Sequence, residues 1–321
     1  MLNSSYVVQL ILVLTLISRN EVGCQSEGNK LFLVGGFGAR AEVEIVDLSE
    51  TNRTCPTAAD YPPPIITGSF GTFIGGKLLV CGGEDANYLI RTNECFTYEP
   101  ETDEWLRADS MRVGRSDAAA VQLSPTKWWV TGGRNFVEYL KSTEIYTVGE
   151  GFSSYVDLPT SRYFHNLVKV DDTHVMLLGG QSSNTKAWMF NTEDETWTVL
   201  PDSLVSTYNT NAGVAINNQG RPEVVITSGF FTNATQIFSV DDQTWRFGQD
   251  YPAGAIFGAS SIQHADTFLV IGGYYASSGY HDTIYQYDSE IEGFRVLPQR
   301  IELGRNSFAA VLAPGDFVDC S

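Results

Sequence analysis

Six short apolar segments, each ending in a glycine pair, recur along this chain and limit its fold more than any other feature. The last glycines of the segments are Gly36, Gly83, Gly133, Gly180, Gly229 and Gly273. Only the fifth segment departs from the pair, because Ser228 takes the place of its first glycine. The segments are spaced by roughly 44 to 50 residues, a period that indicates an array of equivalent supersecondary units.

The residues before each glycine pair are apolar almost without alternation, as Leu31 to Val34 illustrate. A strand with one face in water would alternate apolar and polar side chains, so these strands are predicted to be covered on both faces. Sheets packed face to face around a common axis would provide that cover. The glycines then permit a backbone turn at positive φ, or a close approach that a Cβ atom would block.

A second pattern follows each glycine pair: a polar loop, an aromatic residue in a strand, a turn and another bulky aromatic residue. The clearest pairs are Tyr98 and Trp105, Phe190 and Trp197, Phe238 and Trp245, and Tyr287 and Phe294. The third repeat is one residue shorter, from Tyr146 to Phe152, and the first has Leu48 and Cys55 instead. Six such repeats in register resemble the Kelch family, and the resemblance covers essentially all of the mature chain. It implies a β-propeller.

The repeats also predict how the ring closes. Repeats two to six each have an inner strand before the glycine-pair strand, whereas repeat one begins directly with the latter. The C-terminal segment from Asn306 to Leu312 has the inner-strand pattern and is predicted to complete repeat one. The expected fold over residues 25–321 is therefore an all-β, six-bladed β-propeller of four-stranded antiparallel blades, closed by the C-terminal strand. Closure leaves no exposed inner edge for unwanted pairing.

Residues 1–24 are predicted to be a signal peptide. Residues 6–17 form an apolar run that is too short to span a bilayer comfortably, and cleavage is expected after Gly23 or Cys24. A buried strand or helix of the fold is the alternative interpretation of this run. The C-terminus is polar and carries no lipid-anchor signal. A secreted, extracellular protein is therefore expected, with N-glycosylation acceptors at Asn52 and Asn233.

Four cysteines remain if cleavage removes Cys24, an even number that suits a secreted protein. Cys81 ends a glycine-pair strand and Cys95 begins the next antiparallel strand, so a disulfide within blade two is predicted. Cys320 follows the closing strand, and its loop is expected on the same face as Cys55, so a second disulfide would staple the ring. A retained Cys24 would compete for Cys320, and buried free thiols are the alternative for each pair.

The sequence offers little chemistry for catalysis. Its four histidines, His165, His174, His264 and His281, are predicted on different faces, which argues against a shared metal site. Copper radical oxidases such as galactose oxidase also use a Kelch propeller, but with paired histidines and a Tyr–Cys cross-link that have no counterpart in this sequence. No nucleophile elbow, phosphate loop or paired Cys-x-x-Cys spacing occurs. Neither an enzyme activity nor a cofactor is expected.

Charge narrows the class of partner. The chain has 38 Asp and Glu against 20 Lys and Arg, a formal net charge of −18, which disfavours nucleic acid and anionic membranes. Several arginines are nevertheless expected on one end of the ring, before inner strands or in the adjoining loops: Arg115, Arg162 and Arg305, with Arg40, Arg91 and Arg134. The tyrosines expected beside them are Tyr88, Tyr163, Tyr208, Tyr274, Tyr275 and Tyr280.

Arginine forks fit carboxylates, and tyrosines add contact area at modest entropic cost, so this face is predicted to bind a ligand. In intracellular Kelch adaptors, resembling residues of this face bind acidic peptide segments. The alternative is that an arginine before an inner strand belongs to the repeat consensus and only ties loops together. The residues predicted to bind are Arg40, Arg115, Arg134, Arg162, Arg305, Tyr163, Tyr208 and Tyr274.

Three functions from different classes remain open. The favoured one is a secreted, non-catalytic recognition module that binds an extracellular protein or peptide, with an acidic segment as a candidate ligand. The second is a carbohydrate-binding or mutarotase-like propeller, by resemblance to six-bladed Kelch sialic-acid mutarotases, in which the arginines would hold a sugar carboxylate. The third is a structural extracellular component without a discrete ligand. Fold alone does not choose between them.

Overall fold

The computed structural model describes residues 28–49, 55–62, 65–85, 87, 90–181 and 184–320. The predicted signal peptide and the sequon at Asn52 fall outside these residues, as do Cys24 and Tyr88. Within the described residues every regular element is a β-strand, and no helix is long and apolar enough to cross a membrane. In chain order the strands are β1 (Gly28–Val34), β2 (Val43–Asp47), β3 (Ile65–Thr67), β4 (Phe70–Ile74), β5 (Lys77–Cys81), β6 (Glu84–Asp85), β7 (Cys95–Glu99), β8 (Glu104–Arg107), β9 (Ala119–Ser124), β10 (Lys127–Thr131), β11 (Thr143–Thr147), β12 (Gly151–Tyr155), β13 (Asn166–Lys169), β14 (His174–Leu178), β15 (Ala187–Asn191), β16 (Thr196–Leu200), β17 (Asn211–Ile216), β18 (Pro222–Thr227), β19 (Thr235–Ser239), β20 (Thr244–Phe247), β21 (Ser260–His264), β22 (Thr267–Ile271), β23 (Tyr274–Tyr275), β24 (Gly279–Tyr280), β25 (Thr283–Asp288), β26 (Gly293–Arg300) and β27 (Ala309–Pro314).

The larger sheets are the six blades of a β-propeller. From the axis outward, blade 1 contains β27, β1 and β2; blade 2 contains β4, β5, β7 and β8; blade 3 contains β9 to β12; blade 4 contains β13 to β16; blade 5 contains β17 to β20; and blade 6 contains β21, β22, β25 and β26. Neighbouring strands within a blade are antiparallel. Each inner strand contacts the inner strand of the next blade, and β21 contacts β27. The predicted all-β, six-bladed architecture is therefore confirmed.

The last strand closes the ring, as the repeat predicts. β27 pairs antiparallel with β1, from Val34 opposite Ala309 to Lys30 opposite Ala313. The buried side chains of Ala309, Val311 and Ala313 belong to one apolar cluster with residues of blade 2. The two ends of the propeller therefore share one sheet and one part of the core.

Blade 1 is narrower than the other five among the described residues. Beyond its three strands, a single bridge pairs Val43 with Ala58. Cys55, which occupies the position of the second bulky aromatic residue in the other repeats, is bonded to Cys320 instead. The disulfide thus lies where the other blades have an aromatic contact.

Both predicted disulfides are present. The Cys55–Cys320 bond joins residues that are 265 positions apart, so it ties the first blade to the chain beyond the closing strand. The Cys81–Cys95 bond joins two directly paired residues of β5 and β7 within blade 2. A cross-link that closes a long loop restricts the unfolded chain most, so the first bond is expected to stabilise the fold more than the second.

The glycine-pair strands form the centre of the core, as their unbroken apolar pattern predicts. Leu31, Phe32, Leu33 and Val34 of β1 have no exposed surface. Phe32 and Val34 pack toward blade 2. Leu31 and Leu33 pack toward blade 6, so the strand is covered on both faces. Burial of one side chain of this size stabilises the fold by about 1.5–3 kcal/mol.

The paired aromatics of the repeat pack within their blades. The ring centroids of Phe190 and Trp197 are 4.8 Å apart, and those of Phe238 and Trp245 are 4.9 Å apart. The Trp197 indole N–H also donates to the carbonyl of Asp157 at 3.1 Å, which ties blade 4 to the connection that precedes it. This sequence signature therefore serves the core and the joints between blades.

Candidate functional site

Six residues, one from each blade, form a hydrogen-bonded ring around one end of the propeller axis. They are Gly68, Asp117, Phe164, Asn209, Gly258 and Ser307. Each lies two residues before an inner strand. All six have left-handed backbone angles, with φ from 52° to 68°. Four of them are not glycine, and such residues rarely keep this conformation unless the surrounding structure holds them in it.

Each amide of the ring donates a hydrogen bond to the preceding ring residue. The amide of Asp117 donates to the carbonyl of Gly68 at 3.1 Å, and the amide of Gly68 donates to the carbonyl of Ser307 at 2.8 Å. Between blades 5 and 6 a side chain takes over, because the amide of Gly258 donates to Oδ1 of Asn209 at 3.0 Å. Below the ring, the first residues of the inner strands surround a cavity of about 220 Å³. The ring therefore fixes the positions of all the connections that lead into the inner strands.

The loops at this end of the axis form the face that carries the candidate site, and we call it the ring face. It comprises two sets of loops. The first set follows the glycine-pair strands and has described residues in 35–42, 82–94, 132–142, 179–186, 228–234 and 272–282. The second set leads into the inner strands and has described residues in 55–69, 108–118, 156–165, 201–210, 248–259 and 301–308. The two sets of loops touch each other. Isolated bridges join Phe37 to Asn306, Ser116 to Arg134, and Phe257 to Tyr274.

Three of the predicted binding arginines lie inside the protein instead of on the ring face. Arg115, Arg162 and Arg305 have no exposed surface. Arg115 donates to the carbonyl of Gly132 at 2.8 Å and forms an ion pair with Glu144, also at 2.8 Å. The prediction that these three arginines contact a ligand is therefore corrected, because their hydrogen-bonding groups are occupied within the fold.

The other two buried arginines repeat this arrangement. Arg162 donates to the carbonyl of Gly179 at 2.8 Å, and its guanidinium lies 4.3 Å from the ring centre of Trp188. Arg305 donates to the carbonyl of Gly35 at 3.2 Å and pairs with a carboxylate of blade 1. Burial lowers the pKa of Arg162 to about 10, which still leaves it charged at neutral pH. Each arginine ties the connection before an inner strand to the glycine pair of the same blade, which is the consensus role that the sequence left open.

Arg134 and Arg91 reach the ring face, but both belong to a cluster of opposite charges. Arg134 pairs with Asp117 at 2.6 Å and with Glu84 at 3.1 Å. Arg91 pairs with the second carboxylate oxygen of Glu84 at 2.8 Å. The hydroxyl of Ser116 donates to Asp117 at 3.0 Å. We call these five residues the charged cluster; its two guanidinium groups and two carboxylates leave it without net charge.

Burial raises the pKa of both carboxyl groups in the charged cluster. For Glu84 the negative charge of Asp117 adds to this effect, while Arg134 and Arg91 act against it. For Asp117 the opposing influence comes first from Arg134. Burial also disfavours the charge of Arg134, but the two carboxylates outweigh that effect and hold its pKa above the usual range. The cluster is therefore charge-compensated from within.

Two further predicted surface residues lie at the rim of the ring face. Arg40 is exposed in the loop after the glycine pair of blade 1. Asn233 is half-buried in the corresponding loop of blade 5, and its Nδ2 donates to Oδ2 of Asp250 at 3.2 Å. The structure therefore places the predicted acceptor Asn233 beside the ring face.

A continuous arc of aromatic rings crosses the ring face from blade 3 to blade 6. In order along the arc the rings are those of Tyr139, Tyr163, Tyr208, Phe230, Phe257, Tyr274 and Tyr280, with Phe164 and Phe231 packed beside them. Consecutive ring centroids are 4.7 to 6.3 Å apart. We call these nine residues the aromatic arc. It brings together three residues predicted to bind, Tyr163, Tyr208 and Tyr274.

Several rings of the aromatic arc are open to solvent. Phe231 is 65% exposed and Tyr280 is 46% exposed. The neighbouring loop of blade 3 adds Phe136 and Val137, which are 64% and 89% exposed. Contiguous exposed apolar surface marks interaction sites on folded proteins, and tyrosine is common among the residues that dominate binding energies.

Arg134 joins the charged cluster to the aromatic arc. Its guanidinium lies 5.2 Å from the ring centre of Tyr163 and 5.8 Å from that of Phe164. Burial raises the pKa of Tyr163, and a hydrogen bond with Tyr208 raises it further. A hydrogen bond to Tyr163 likewise raises the pKa of Tyr139. The tyrosines at this end of the arc are therefore neutral hydrogen-bonding groups at physiological pH.

Most tyrosines of the aromatic arc can be identified from the sequence, but its phenylalanines cannot. Phe230 and Phe231 follow Gly229 directly, and Phe257 precedes the ring residue Gly258. None of the three occupies a repeat position whose size the core requires. Bulky side chains in loops, as opposed to strands, are the signal that points to this part of the face.

The described histidines do not form a common site. His165 is buried and shares a hydrogen bond of 2.8 Å with the hydroxyl of Thr131. Burial holds its pKa well below the usual range, and the charges of Arg162 and Arg115 lower it further. Within the described ranges, no group of three or more His, Cys, Asp or Glu side chains is placed to hold a metal ion.

Comparison with known proteins links the chain to Kelch repeats. The family model described as the Kelch motif matches residues 68–112. The chain is 30% identical over 191 residues to spermatocyte protein spe-26 of Caenorhabditis elegans, which covers 57% of this chain and 33% of that protein. It is 36% identical over 74 residues to F-box/kelch-repeat protein At2g44130 of Arabidopsis thaliana, which covers 23% of this chain and 18% of that protein. The chain thus spans a third or less of the length of these relatives.

A solved structure shares the fold. The structure of YjhT aligns with a TM-score of 0.70 over 84% of this chain and 97% of that chain. The two sequences are 14% identical, so the likeness concerns the architecture of the propeller.

Proposed function

Because this chain belongs to the Kelch-repeat family, we propose that it is a non-catalytic protein-binding module that holds its partner on the ring face, at the aromatic arc. Kelch propellers are typically protein-interaction modules. The observation that carries the proposal is that nine rings from four blades form one connected surface on which Phe230, Phe231 and Tyr280 remain exposed. Rings that served only to pack the loops together would be buried.

The ring face is held in place before any partner arrives. The hydrogen-bonded ring fixes the connections into the inner strands; Phe164 of that ring belongs to the aromatic arc, and Gly258 follows Phe257 of the arc. The buried arginines tie the same connections to the glycine pairs. A surface that is ordered in advance loses less conformational entropy on binding, so affinity increases for the same contacts.

Support for a non-catalytic role comes from where the reactive side chains lie. His165 is buried with a lowered pKa, so it is a neutral packing residue at physiological pH. Arg162 and Arg115, two of the arginines that could hold a sugar carboxylate in the sugar-binding alternative, are enclosed by their own blades. This favours protein binding over the carbohydrate-binding and mutarotase-like alternatives.

We further propose that the protein is secreted. The two disulfides support this, because oxidised cysteine pairs persist mainly in oxidising compartments. Expression of the full chain in cultured animal cells tests it. We expect a disulfide-bonded form in the medium whose mobility shifts on treatment with an N-glycosidase; confinement of the folded protein to the cytosol would contradict the proposal.

The binding function is tested by quantitative capture of partners from extracellular fluid of the source organism. The wild-type chain is compared with the double variant Phe230→Ser/Phe231→Ser, whose substitutions lie on the exposed part of the arc. The control variant is Val199→Ser, because Val199 is 70% exposed on the outer strand β16 of blade 4 and is not part of the aromatic arc.

We expect at least one protein that the wild type and the control retain equally and the arc variant loses by about tenfold or more, the scale on which hot-spot residues act. If every retained protein binds the arc variant as well as the wild type, the arc is not the binding surface. Saturable binding of an acidic sugar by the wild type, abolished in the arc variant, would favour the carbohydrate alternative.

A further inference from the structure

We infer that the partner segment on the aromatic arc is an extended peptide with apolar and aromatic side chains and little or no negative charge. This inference rests on the proposed function, since it specifies what the same surface recognises. It differs from the acidic ligand that the arginine count suggested. Three observations lead to it: the state of the arginines, the shape of the arc and the remaining donor capacity of Arg134.

Five of the six arginines predicted at this end of the ring already have partners within the fold, and Arg40 alone of the six is exposed. Arg115, Arg162 and Arg305 are buried with partners inside the fold. Arg91 and Arg134 are paired with the carboxylates of the charged cluster. An acidic segment would therefore meet no cluster of uncompensated positive charge, and it would approach a chain whose formal net charge is −18. Like charge on both partners opposes their association.

The aromatic arc is a continuous row of rings that an extended peptide could contact along its length. Six ring-to-ring steps of 4.7 to 6.3 Å lead from Tyr139 to Tyr280 around the axial opening. An extended segment rises about 3.3 Å per residue, so about ten residues would follow this path. Alternate side chains of such a segment would lie against the rings, where large apolar groups gain the most from leaving water.

Arg134 provides a polar group at the blade 3 end of the aromatic arc. Its Nε and Nη2 bind Asp117 and Glu84, whereas Nη1 makes no hydrogen bond to any described residue. The side chain is 27% exposed beside Tyr163. A guanidinium that two carboxylates already neutralise suits a main-chain carbonyl better than a third carboxylate. This contact would fix where the bound segment begins.

Selection of displayed random peptides tests the inference. The full-length, disulfide-bonded chain is the bait, and the Phe230→Ser/Phe231→Ser variant removes peptides that do not need the arc. Circular dichroism and thermal melting establish that the variant is folded; if it is not, Phe231→Ser alone replaces it, because that side chain is the more exposed of the two.

We expect the arc-dependent peptides to be enriched in Trp, Tyr, Phe and Leu and poor in Asp and Glu. Because apolar contacts are not screened by salt, their dissociation constants should change less than about twofold between about 50 and 500 mM NaCl. Arc-dependent peptides rich in Asp and Glu, with affinities that fall more than about tenfold over that range, would overturn this inference and leave the proposed function standing. Failure to select any arc-dependent peptide would overturn this inference, whereas the capture experiment decides the proposed function. Arc-dependent binding of neutral phosphatidylcholine vesicles instead of peptides or proteins would overturn both.

Discussion

The amide of Gly68 donates a 2.8 Å hydrogen bond to the carbonyl of Ser307, although the two residues lie near opposite ends of the sequence. This bond completes the ring of left-handed residues at the mouth of the axis. It adds to two other links between the ends of the propeller, the pairing of β1 with β27 and the Cys55–Cys320 disulfide. Closure of the propeller therefore supplies one of the six hydrogen bonds that hold the ring face together.

The disulfide that spans the closure is expected to stabilise the fold more than the one within blade 2. Replacing Cys55 and Cys320 by serine removes a link across 265 positions and should lower the free energy of unfolding by about 5 kcal/mol. Replacing Cys81 and Cys95, which are 14 positions apart, should lower it by about 3 kcal/mol. Urea titration of both variants without reductant measures the difference. A larger loss for the blade 2 pair would contradict the assigned role of the closure.

The glycine pair of blade 2 is expected to be intolerant of a methyl group. At Gly82, with φ of 67°, a Cβ atom would lie 2.6 Å from the carbonyl oxygen of Arg115. Gly76, with φ of 77°, has no atom within 4 Å of the same position. Gly76→Ala should therefore cost only about 1–2 kcal/mol for the left-handed backbone, and Gly82→Ala should cost clearly more. Equal shifts of the two urea midpoints would disprove the close-approach explanation.

Removal of a buried arginine is expected to destabilise the fold more when it leaves a buried carboxylate without its ion-pair partner than when it leaves a backbone carbonyl without a donor. Arg115→Met strands Glu144, which is 2% exposed and keeps only backbone amide donors, so we expect a loss of about 3–5 kcal/mol. Arg162→Met leaves a carbonyl acceptor at Gly179 and should cost about 1–3 kcal/mol. Chemical denaturation of the two variants at neutral pH makes the comparison. The order of the two losses is the decisive result.

His165 is expected to make the fold sensitive to mild acid. Its pKa in the folded protein lies below the unfolded value of about 6.5, so the unfolded chain binds more protons between the two. The resulting stability is present above about pH 6.5 and is lost as the pH falls toward the folded value, by at most about 1.4 kcal/mol per pH unit. His165→Gln should remove this component, whereas replacement of the half-buried His174 by glutamine should retain it. Parallel slopes for His165→Gln and the wild type between pH 7 and 5 would refute the argument.

Much of the fold could be predicted from the sequence because the constraint repeats six times. Apolar runs without alternation require cover on both faces, and a repeat that lacks its inner strand requires one from the other end of the chain. Those two requirements already define a closed propeller, and Ala309–Pro314 lies where they place it. The disulfides followed from the same reasoning, since Cys81 and Cys95 fall on neighbouring strands.

The candidate site was harder to predict because a side chain's type does not reveal its partners. Arg115, Arg162 and Arg305 were assigned to the correct end of the ring, but their side chains turn inward to the glycine pairs. Sequence position cannot show whether a guanidinium faces a ligand or a buried carbonyl. Phe230 and Phe231 escaped notice for the opposite reason, since they lie outside the repeat pattern.

The proposed function requires that a partner protein contacts the aromatic arc. The most direct measurement is photocrosslinking of a captured partner to chains that carry benzoylphenylalanine at Phe231, at Tyr280 or, on the outer strand of blade 4, at Val199. The account predicts crosslinks to one partner from both arc positions and none from Val199. Crosslinks from Val199 with both arc positions silent would contradict it.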